Sequence, residues 1–386
     1  MCIRDRGGTH PCSSEVLDLK EHAGPAVDQR RGESRLGHPA SMGVPSGPTL
    51  ATVVPVYNEA VHIEGCLRSL LNQSIASDQH MIMVLDGGST DGTTDVVQRL
   101  IDEHQGSSSP SLELMHNPGR TVAHARNRAL EQLPSSVEYL IEMIGHAEVE
   151  PHHLERRLQA WEACESEAGE RLAGVGVQVV EFEKTTSTVE RWIEGALASS
   201  LGQSGGQFSR FSTMTPTDVP AFVMHRRAAV EAVNGWDTSF ITSQDSDLSM
   251  RLLKAGYSLY RHPLPSVRMH KRSTLAQWWR MGHRYGFWRT KVLLKHPRRA
   301  KWQEFLPVLG AVVTLALFLI GSPFWNVPPM AYGLVLLLSG TLAARSGKGS
   351  SSIVGVPVCL LLLHTSFSLG LMDGLVRKGR FSNDRA

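Results

Sequence analysis

The chain has 386 residues, enough for one large domain or two ordinary ones with a sizeable core. Its 39 Lys and Arg against 37 Asp and Glu leave a net charge of +2, which excludes a global polyanion-binding surface and, with it, nucleic acid as the expected partner. Five scattered cysteines form no CxxC pair, so they read as reduced residues of a cytosol-facing protein rather than a disulfide framework or zinc finger.

Residues 1–48 mix Gly, Pro, Ser, His and charges without periodicity and are expected to be disordered. Their opening, Met1-Cys2-Ile3-Arg4-Asp5-Arg6, resembles a translated adaptor, so an artefactual extension with Met42 as the start is one expectation for this segment. Residues 49–55 form a buried-strand candidate that runs into the loop Pro55-Val56-Tyr57-Asn58-Glu59. Ile63, Leu67, Leu70 and Leu71 then recur at helical spacing. An apolar run at 81–85 stops at Asp86-Gly87-Gly88-Ser89-Thr90-Asp91-Gly92-Thr93, and Val96, Val97, Leu100 and Ile101 mark a helix behind it. Ligands of open α/β sheets bind beyond the carboxyl ends of strands, which puts Asp86 at the rim of a pocket. Asp and Gly are equally what a plain βα turn requires. A short strand at 112–115, the turn Asn117-Pro118-Gly119-Arg120, a helix holding Ala125, Arg126, Asn127 and Leu130, and a fourth strand at 139–144 follow. The alternation predicts an α/β fold, a mostly parallel sheet with helices on both faces.

The second half is less regular. Strands are expected at 175–182 and 221–225, separated by a Gly-, Ser-, Gln- and Thr-rich stretch at 199–217 that suits a mobile loop over the site. Asn234-Gly235-Trp236-Asp237 closes a short helix on its glycine. Gln244-Asp245-Ser246-Asp247 opens another, where the helix dipole favours acids whatever else they do. Residues 261–303 hold twelve Lys or Arg and no acid. Within them, 266–301 form a basic collar in which Trp278, Trp279, Tyr285, Phe287 and Trp288 interleave with cations, as on an interfacial helix against anionic lipid. Beyond the collar, 302–386 read as a membrane region. Segments 305–321 and 325–344 are long enough to cross, since ~20 apolar residues span a bilayer. Lys295, Arg298, Arg299 and Lys301 before the pair, and Arg345 and Lys348 after it, place the body on the cytoplasmic side of a multi-pass protein. Segment 353–371 is a third crossing or a segment that re-enters or lies in the interface, because a crossing would carry Arg377, Lys378 and Arg380 outside.

These pieces, in this order, resemble the family 2 glycosyltransferases of the GT-A (Rossmann-like) fold over residues 49–301. Gly119-Arg120-Thr121 and Gly145-His146-Ala147 are similar to the membrane-bound group that builds exopolysaccharides of the succinoglycan type. The resemblance implies a GT-A domain at 49–300. It also implies an inverting transfer of sugar from a nucleotide-diphospho-sugar, a UDP-sugar first, to a lipid-linked or growing-glycan acceptor at the cytoplasmic membrane face. By the same resemblance Pro55, Tyr57, Glu59 and Asp86 contact base and ribose, and Arg126 and Asn127 lie near ribose or phosphates. Gln277 and Arg280 clamp the diphosphate, and Asp245 is the general base that deprotonates the acceptor hydroxyl.

The chain departs from the family pattern at three places. Gln244 stands for the usual Glu before the base, and Met281 for a Trp after Arg280. Ile144-Gly145-His146 stands for the Asp-x-Asp that bridges Mg²⁺ or Mn²⁺ to the phosphates. His146 is the remaining metal ligand, and Glu142, expected on the same strand face as Ile144, lies ~6.6 Å back along the strand. Metal dependence is therefore expected to be weak. The alternative reading, motivated by Ile144 and Gln244, is a membrane-anchored GT-A scaffold that binds nucleotide or a partner without turnover.

Overall fold

The computed structural model describes residues 47–106, 109–182, 187–202 and 211–379. The expected disordered extension therefore lies almost wholly outside the described residues, as does the middle of the expected loop at 199–217.

The first half alternates strictly. Its elements are β1 (Leu50–Val56), α1 (Ile63–Leu71), β2 (His80–Asp86), α2 (Thr93–His104), β3 (Ser111–His116), α3 (Val122–Gln132) and β4 (Tyr139–Glu142). β1 lies between β2 and β4 and β3 lies outside β2, all parallel. β2 is buried along its whole length, as a strand covered on both faces must be, which is why its sequence is a continuous apolar run. One face packs Val54, Ile82 and Val84 against Ile63, Leu67, Val97 and Leu100 of α1 and α2. The other packs Ala51, Val53, Met83 and Leu85 against Ala123, Ala125 and Ala129 of α3. The small residues of α3 let that helix sit close to the sheet.

After β4 come β5 (Ala147–Glu148), α4 (His153–Ala168), β6 (Leu172–Val180), α5 (Thr188–Ala198), β7 (Thr215–Pro216), β8 (Met224–Arg226), α6 (Arg227–Ala232), α7 (Gln244–Lys254), β9 (Ser258–Met269) and α8 (Leu275–Lys295). The sheet order is β3-β2-β1-β4-β8-β6-β9-β5, with β7 beside β9. Here the pairing changes character. β8 runs antiparallel to both β4 and β6, β6 and β9 are parallel, and β5 and β7 are antiparallel to β9. The sheet is thus parallel in its first half and mixed in its second. β9 is not legible as a strand in the sequence, because Pro263 and Pro265 interrupt its pattern. The β6–β9 register jumps there, from Val177 opposite His262 to Gln178 opposite Ser266, so the prolines occupy an irregularity and leave the ladder on either side intact. The basic collar accordingly begins inside a strand and becomes helical only at Leu275.

Three apolar helices complete the chain: α9 (Leu306–Leu319), α10 (Val327–Ala343) and α11 (Ser352–Val376). Together with their flanking turns, the stretches Trp302–Leu319, Val327–Lys348 and Ser352–Val376 are long and apolar enough to cross a membrane. Leu309, Val312, Leu315 and Phe318 of α9 are all exposed, a surface that only lipid or another protein would cover. α11 differs, since a face of it is covered by α8 and α5. It runs parallel to α8. Trp278 Nε1 donates to Cys359 O at 2.8 Å, Thr290 Oγ1 to Leu371 O at 2.8 Å, and Lys291 Nζ to Gly374 O at 2.7 Å. The contact is backbone-close: a Cβ at Gly286 would stand 2.1 Å from Phe367 O, and one at Gly370 2.1 Å from His283 O. The turn between α10 and α11 returns to the soluble body, where Lys348 pairs with Glu181 and lies 3.4 Å from Glu194 of α5.

Candidate active site

The loops after β1 and β2 are tied to each other. Asn58, at φ 54°, receives Thr90 N on its Oδ1 at 2.8 Å and donates its own N–H to Ser89 Oγ at 2.9 Å. Glu59 N donates to Thr93 Oγ1 at 2.8 Å, and Ala60 N to Asp91 Oδ2 at 3.0 Å. This lattice holds Pro55, Tyr57 and Glu59 at the wall of a large cleft. Asp86 is 6% exposed and accepts the amides of Gly88 at 2.9 Å and Ser89 at 3.1 Å. It pairs in register with Val56, which lines the cleft, but Asp86 itself does not. Its carboxylate shapes the turn.

On α3 the two neighbours Arg126 and Asn127 serve different ends. Arg126 lines the cleft, 5.7 Å over the Trp236 ring, with Nη1 3.0 Å from Glu142 Oε1. That pair has ion-pair distance but is off-axis for a hydrogen bond, leaving Arg126 Nε and Nη1 without hydrogen-bond partners. Asn127 does not line the cleft. Its amide receives Trp236 N at 2.8 Å and donates to Trp236 O at 2.7 Å. Gly235, at φ +64°, is required there, because a Cβ would stand 2.5 Å from Asn127 Oδ1. The Asn127 side-chain amide bonds both the N–H and the carbonyl of Trp236, at the Gly235-Trp236 corner.

Asp245 opens α7, where the helix dipole favours a carboxylate, and it faces the cleft together with Gln244. Two residues on, Asp247 is completely buried. Its carboxylate meets Arg251 Nε at 2.8 Å, Lys295 Nζ at 2.7 Å and His296 Nε2 at 2.9 Å. Burial alone would raise its pKa, but these three partners hold it below the ordinary carboxylate value. Asp247 therefore anchors the start of α7 to the end of α8, which is more than an exposed cap would do.

The residues expected to hold a metal do not converge. β4 ends at Glu142, so the two residues do not share a strand face as expected. Ile144 packs against the cluster containing Val56 and Ile63, whereas Glu142 faces Arg126, His225 and Trp236. Glu142 Oε1 lies 3.3 Å from both His225 Nε2 and Trp236 Nε1. Burial opposes its ionisation, yet Arg126 and these bonds hold its pKa below the ordinary value. His146 Nδ1 meets Glu59 Oε1 at 2.8 Å. Among the described residues no three His, Cys, Asp or Glu side chains are placed to hold a metal ion. The donor set on this wall does not fit a protein-held divalent cation.

The cleft has a volume of about 1940 Å³, well beyond the ~300–1,000 Å³ of an ordinary small-molecule site. From Tyr57 and Arg126 it passes Asp245, Gln277 and Tyr285, then continues between α8 and the apolar helices α9, α10 and α11. Gln277 lines it and Arg280 does not; the nearby cations that do are Lys271, Arg272, Arg284, Arg289, Arg299 and Lys301. Burial pulls Lys271 down to about 8, while Glu194, Glu181 and Glu190 act in the opposite sense. In the sequence Arg289, Arg299 and Lys301 are three cations of the basic collar among several, with nothing to single them out for the cleft. Nothing in a run of similar cations says which will turn inward.

A curled sheet with a parallel first half, a mixed second half and a cleft at the strand ends is the arrangement of a GT-A glycosyltransferase. The mannosyltransferase PcManGT from Pyrobaculum calidifontis, solved with GDP-Man and Mn²⁺, shares this fold at a TM-score of 0.52 and 20% identity, over 86% of this chain and 88% of its own. The glycosyl transferase family 2 profile matches residues 52–233, and that of glycosyl transferase family group 2 matches 149–371. The chain belongs to the family 2 glycosyltransferases. Among its relatives is the succinoglycan biosynthesis protein ExoA of Rhizobium meliloti, 28% identical over 83% of this chain and 94% of ExoA. Another is the dolichyl N-acetyl-alpha-D-glucosaminyl phosphate 3-beta-D-2,3-diacetamido-2,3-dideoxy-beta-D-glucuronosyltransferase of Methanococcus voltae, 23% identical over 85% and 97%.

Proposed function

We propose that this glycosyltransferase moves a sugar from a nucleoside-diphosphate sugar to a lipid-linked or growing-glycan acceptor, with inversion, at the cytoplasmic face of the membrane. The observation that carries the reading is the single cleft that brings Tyr57, Glu59 and Arg126 into one space with Asp245 and then opens among α9, α10 and α11. A soluble donor reaches the strand ends from water, and an apolar carrier reaches the same space from lipid.

In this reading Tyr57 and Glu59 receive the nucleoside, and Arg126 supplies positive charge on the donor's side. The acceptor hydroxyl oxygen attacks the anomeric carbon, the bond from that carbon to the diphosphate oxygen breaks, and the hydroxyl proton passes to the Asp245 carboxylate. One displacement inverts the anomeric centre. The leaving diphosphate is met by cleft cations, with Arg272, Lys271 and Arg284 the nearest in sequence to Gln277. UDP-sugars are the first donors to test. A dolichyl phosphate in the name of the Methanococcus voltae relative and a polysaccharide pathway in that of ExoA support an acceptor carried on lipid or glycan.

Membranes bearing the protein, supplied with a panel of radiolabelled nucleotide-sugars, should label a lipid or glycan fraction. Asp245→Asn should reduce transfer by about 10²–10⁴-fold, the usual size of general-base catalysis, while leaving nucleotide binding in place. Tight nucleotide binding with no transfer to any acceptor would instead favour the anchored scaffold.

A further inference from the structure

Arg298 and Arg299 are successive arginines with opposite fates. Arg298 is exposed, whereas Arg299, on the short turn Pro297–Arg299, is 8% exposed and lines the cleft. Its Nε and Nη1 have no hydrogen-bond partner. Two buried guanidinium nitrogens without hydrogen-bond partners are costly, and such a group persists where something else satisfies it. The acid closest in sequence is already committed: Glu304 grips Arg289, with Nε at 2.7 Å. Arg289 in turn donates Nη2 to Arg299 O at 2.9 Å, which fixes the turn that presents Arg299. Burial and Arg289 disfavour the Arg299 charge, and Glu304, Asp218 and Asp245 favour it as charges without a hydrogen bond, so the candidate base and this cation share one electrostatic neighbourhood. Arg157 is also buried with unpartnered nitrogens, but it does not line the cleft and offers nothing to a ligand.

Past Arg299, Lys301, Gln303 and Glu304 the cleft lining turns apolar along the chain, with Leu306, Ala311, Leu315 and Phe318 of α9 contributing. We infer that Arg299 binds a phosphate oxyanion of the acceptor, at the point where a phosphate-linked apolar chain passes from the membrane helices into the cleft. The inference rests on the glycosyl-transfer reading and deepens it, by assigning the acceptor a phosphate and giving that phosphate a partner. A planar guanidinium offers paired donors to phosphate oxygens, and an apolar wall offers the chain a place to lie. Asp245 would then face the hydroxyl at the far side of the phosphate. The donor's own diphosphate is the other possible source of the same chemistry, and the test separates them.

The full chain in detergent or nanodiscs is titrated with farnesyl diphosphate, farnesol, UDP and GDP. Farnesyl diphosphate should bind the natural protein more tightly than farnesol. Arg299→Gln should weaken farnesyl diphosphate about ten- to a hundredfold, the size of a lost charge-assisted contact, and leave UDP and GDP within about twofold. Arg299→Lys should recover part of the loss. The ligand-free Arg299→Gln protein should melt no lower than the natural one, because an unsatisfied buried cation has been removed; a lower melting temperature would make Arg299 a structural residue and overturn the inference. Unchanged farnesyl diphosphate binding in Arg299→Gln, or equal binding of farnesyl diphosphate and farnesol to the natural protein, would also overturn it. Loss of nucleotide affinity in Arg299→Gln would assign the group to the donor. Sugar transfer by the same preparation is measured alongside: transfer that persists while the Arg299 result fails removes this inference alone, and absent transfer counts against the underlying reading.

Discussion

Ile144 stands beside His146 at the end of β4, and its side chain joins the apolar cluster around Val56 and Ile63. The neighbouring donors are spoken for, His146 by Glu59 and Glu142 by Arg126. A wall with so few oxygen ligands gives Mg²⁺ or Mn²⁺ little purchase beyond the substrate's own phosphates. EDTA should therefore lower transfer by no more than about tenfold, ~1.4 kcal/mol of barrier. Ile144→Asp should make activity respond more steeply to Mn²⁺. Complete loss in EDTA, restored by micromolar Mn²⁺, would refute this. At the same scale, the family motif located Asp86, Asn127 and Asp245 equally well, but only Asp245 reaches the cleft. A motif marks residues that recur together, and recurrence serves a turn or a corner as readily as a ligand. Asp86 binds its own backbone and Asn127 binds Trp236.

Among the elements, the junction of α7 with α8 rests on Asp247. Lys295 bridges it to Asp237, at 2.6 Å, and Arg251 extends from it to the carbonyl of Gly235 at 2.7 Å. The Asp245 end of α7, the Gly235-Trp236 corner and the end of the collar helix are thus one assembly. Asp247→Asn should cost about 3 kcal/mol, the scale of breaking a buried ion pair from one side. The sign of its pH dependence follows from the lowered pKa. Asp247 stabilises the fold above its unfolded-state pKa, near the ordinary ~3.9 of aspartate, and that contribution is lost as pH falls toward the lower folded value. Melting curves of the two proteins should differ by a constant amount from pH 7 down to about pH 4, and draw together only as pH falls further toward the lowered folded pKa. A constant difference at every pH would show that packing, not charge, carries the effect.

For the molecule as a whole, the question is how the body sits on the membrane. α8 carries Arg280, Arg284, Arg289 and Lys291, and a helix with that many cations does not enter hydrocarbon. α11 lies flush along it from Cys359 to Gly374, so the two helices share a depth. We therefore read α9 and α10 as the crossing pair and α11 as lying in the interface. The Lys348 turn is then held against the body by Glu181 and Glu194, and Arg377 and Lys378 stay on the body's side, as positive flanks prefer. Burial and Glu181 raise Glu194 to about 7, against Lys348 and Lys271, so this joint carries a group that titrates near neutrality. A cysteine placed at exposed Val376 should react with an impermeant maleimide from the same side as one placed at exposed Lys254. Labelling from opposite sides would establish three crossings.

Local patterns in the chain determined the strand–helix alternation, the glycine-marked corners, Asp245 at a helix start and the apolar tail. Each depends on neighbours within a turn or a strand, where spacing alone sets which face a side chain takes. The tertiary structure decided the rest: the antiparallel insertion of β8, the strand β9 behind its prolines, the covering of α11 by α8, and the inward turn of Arg299. Those follow from which distant surfaces meet, and the burial that makes one arginine of a pair costly and its neighbour ordinary arises only when they do.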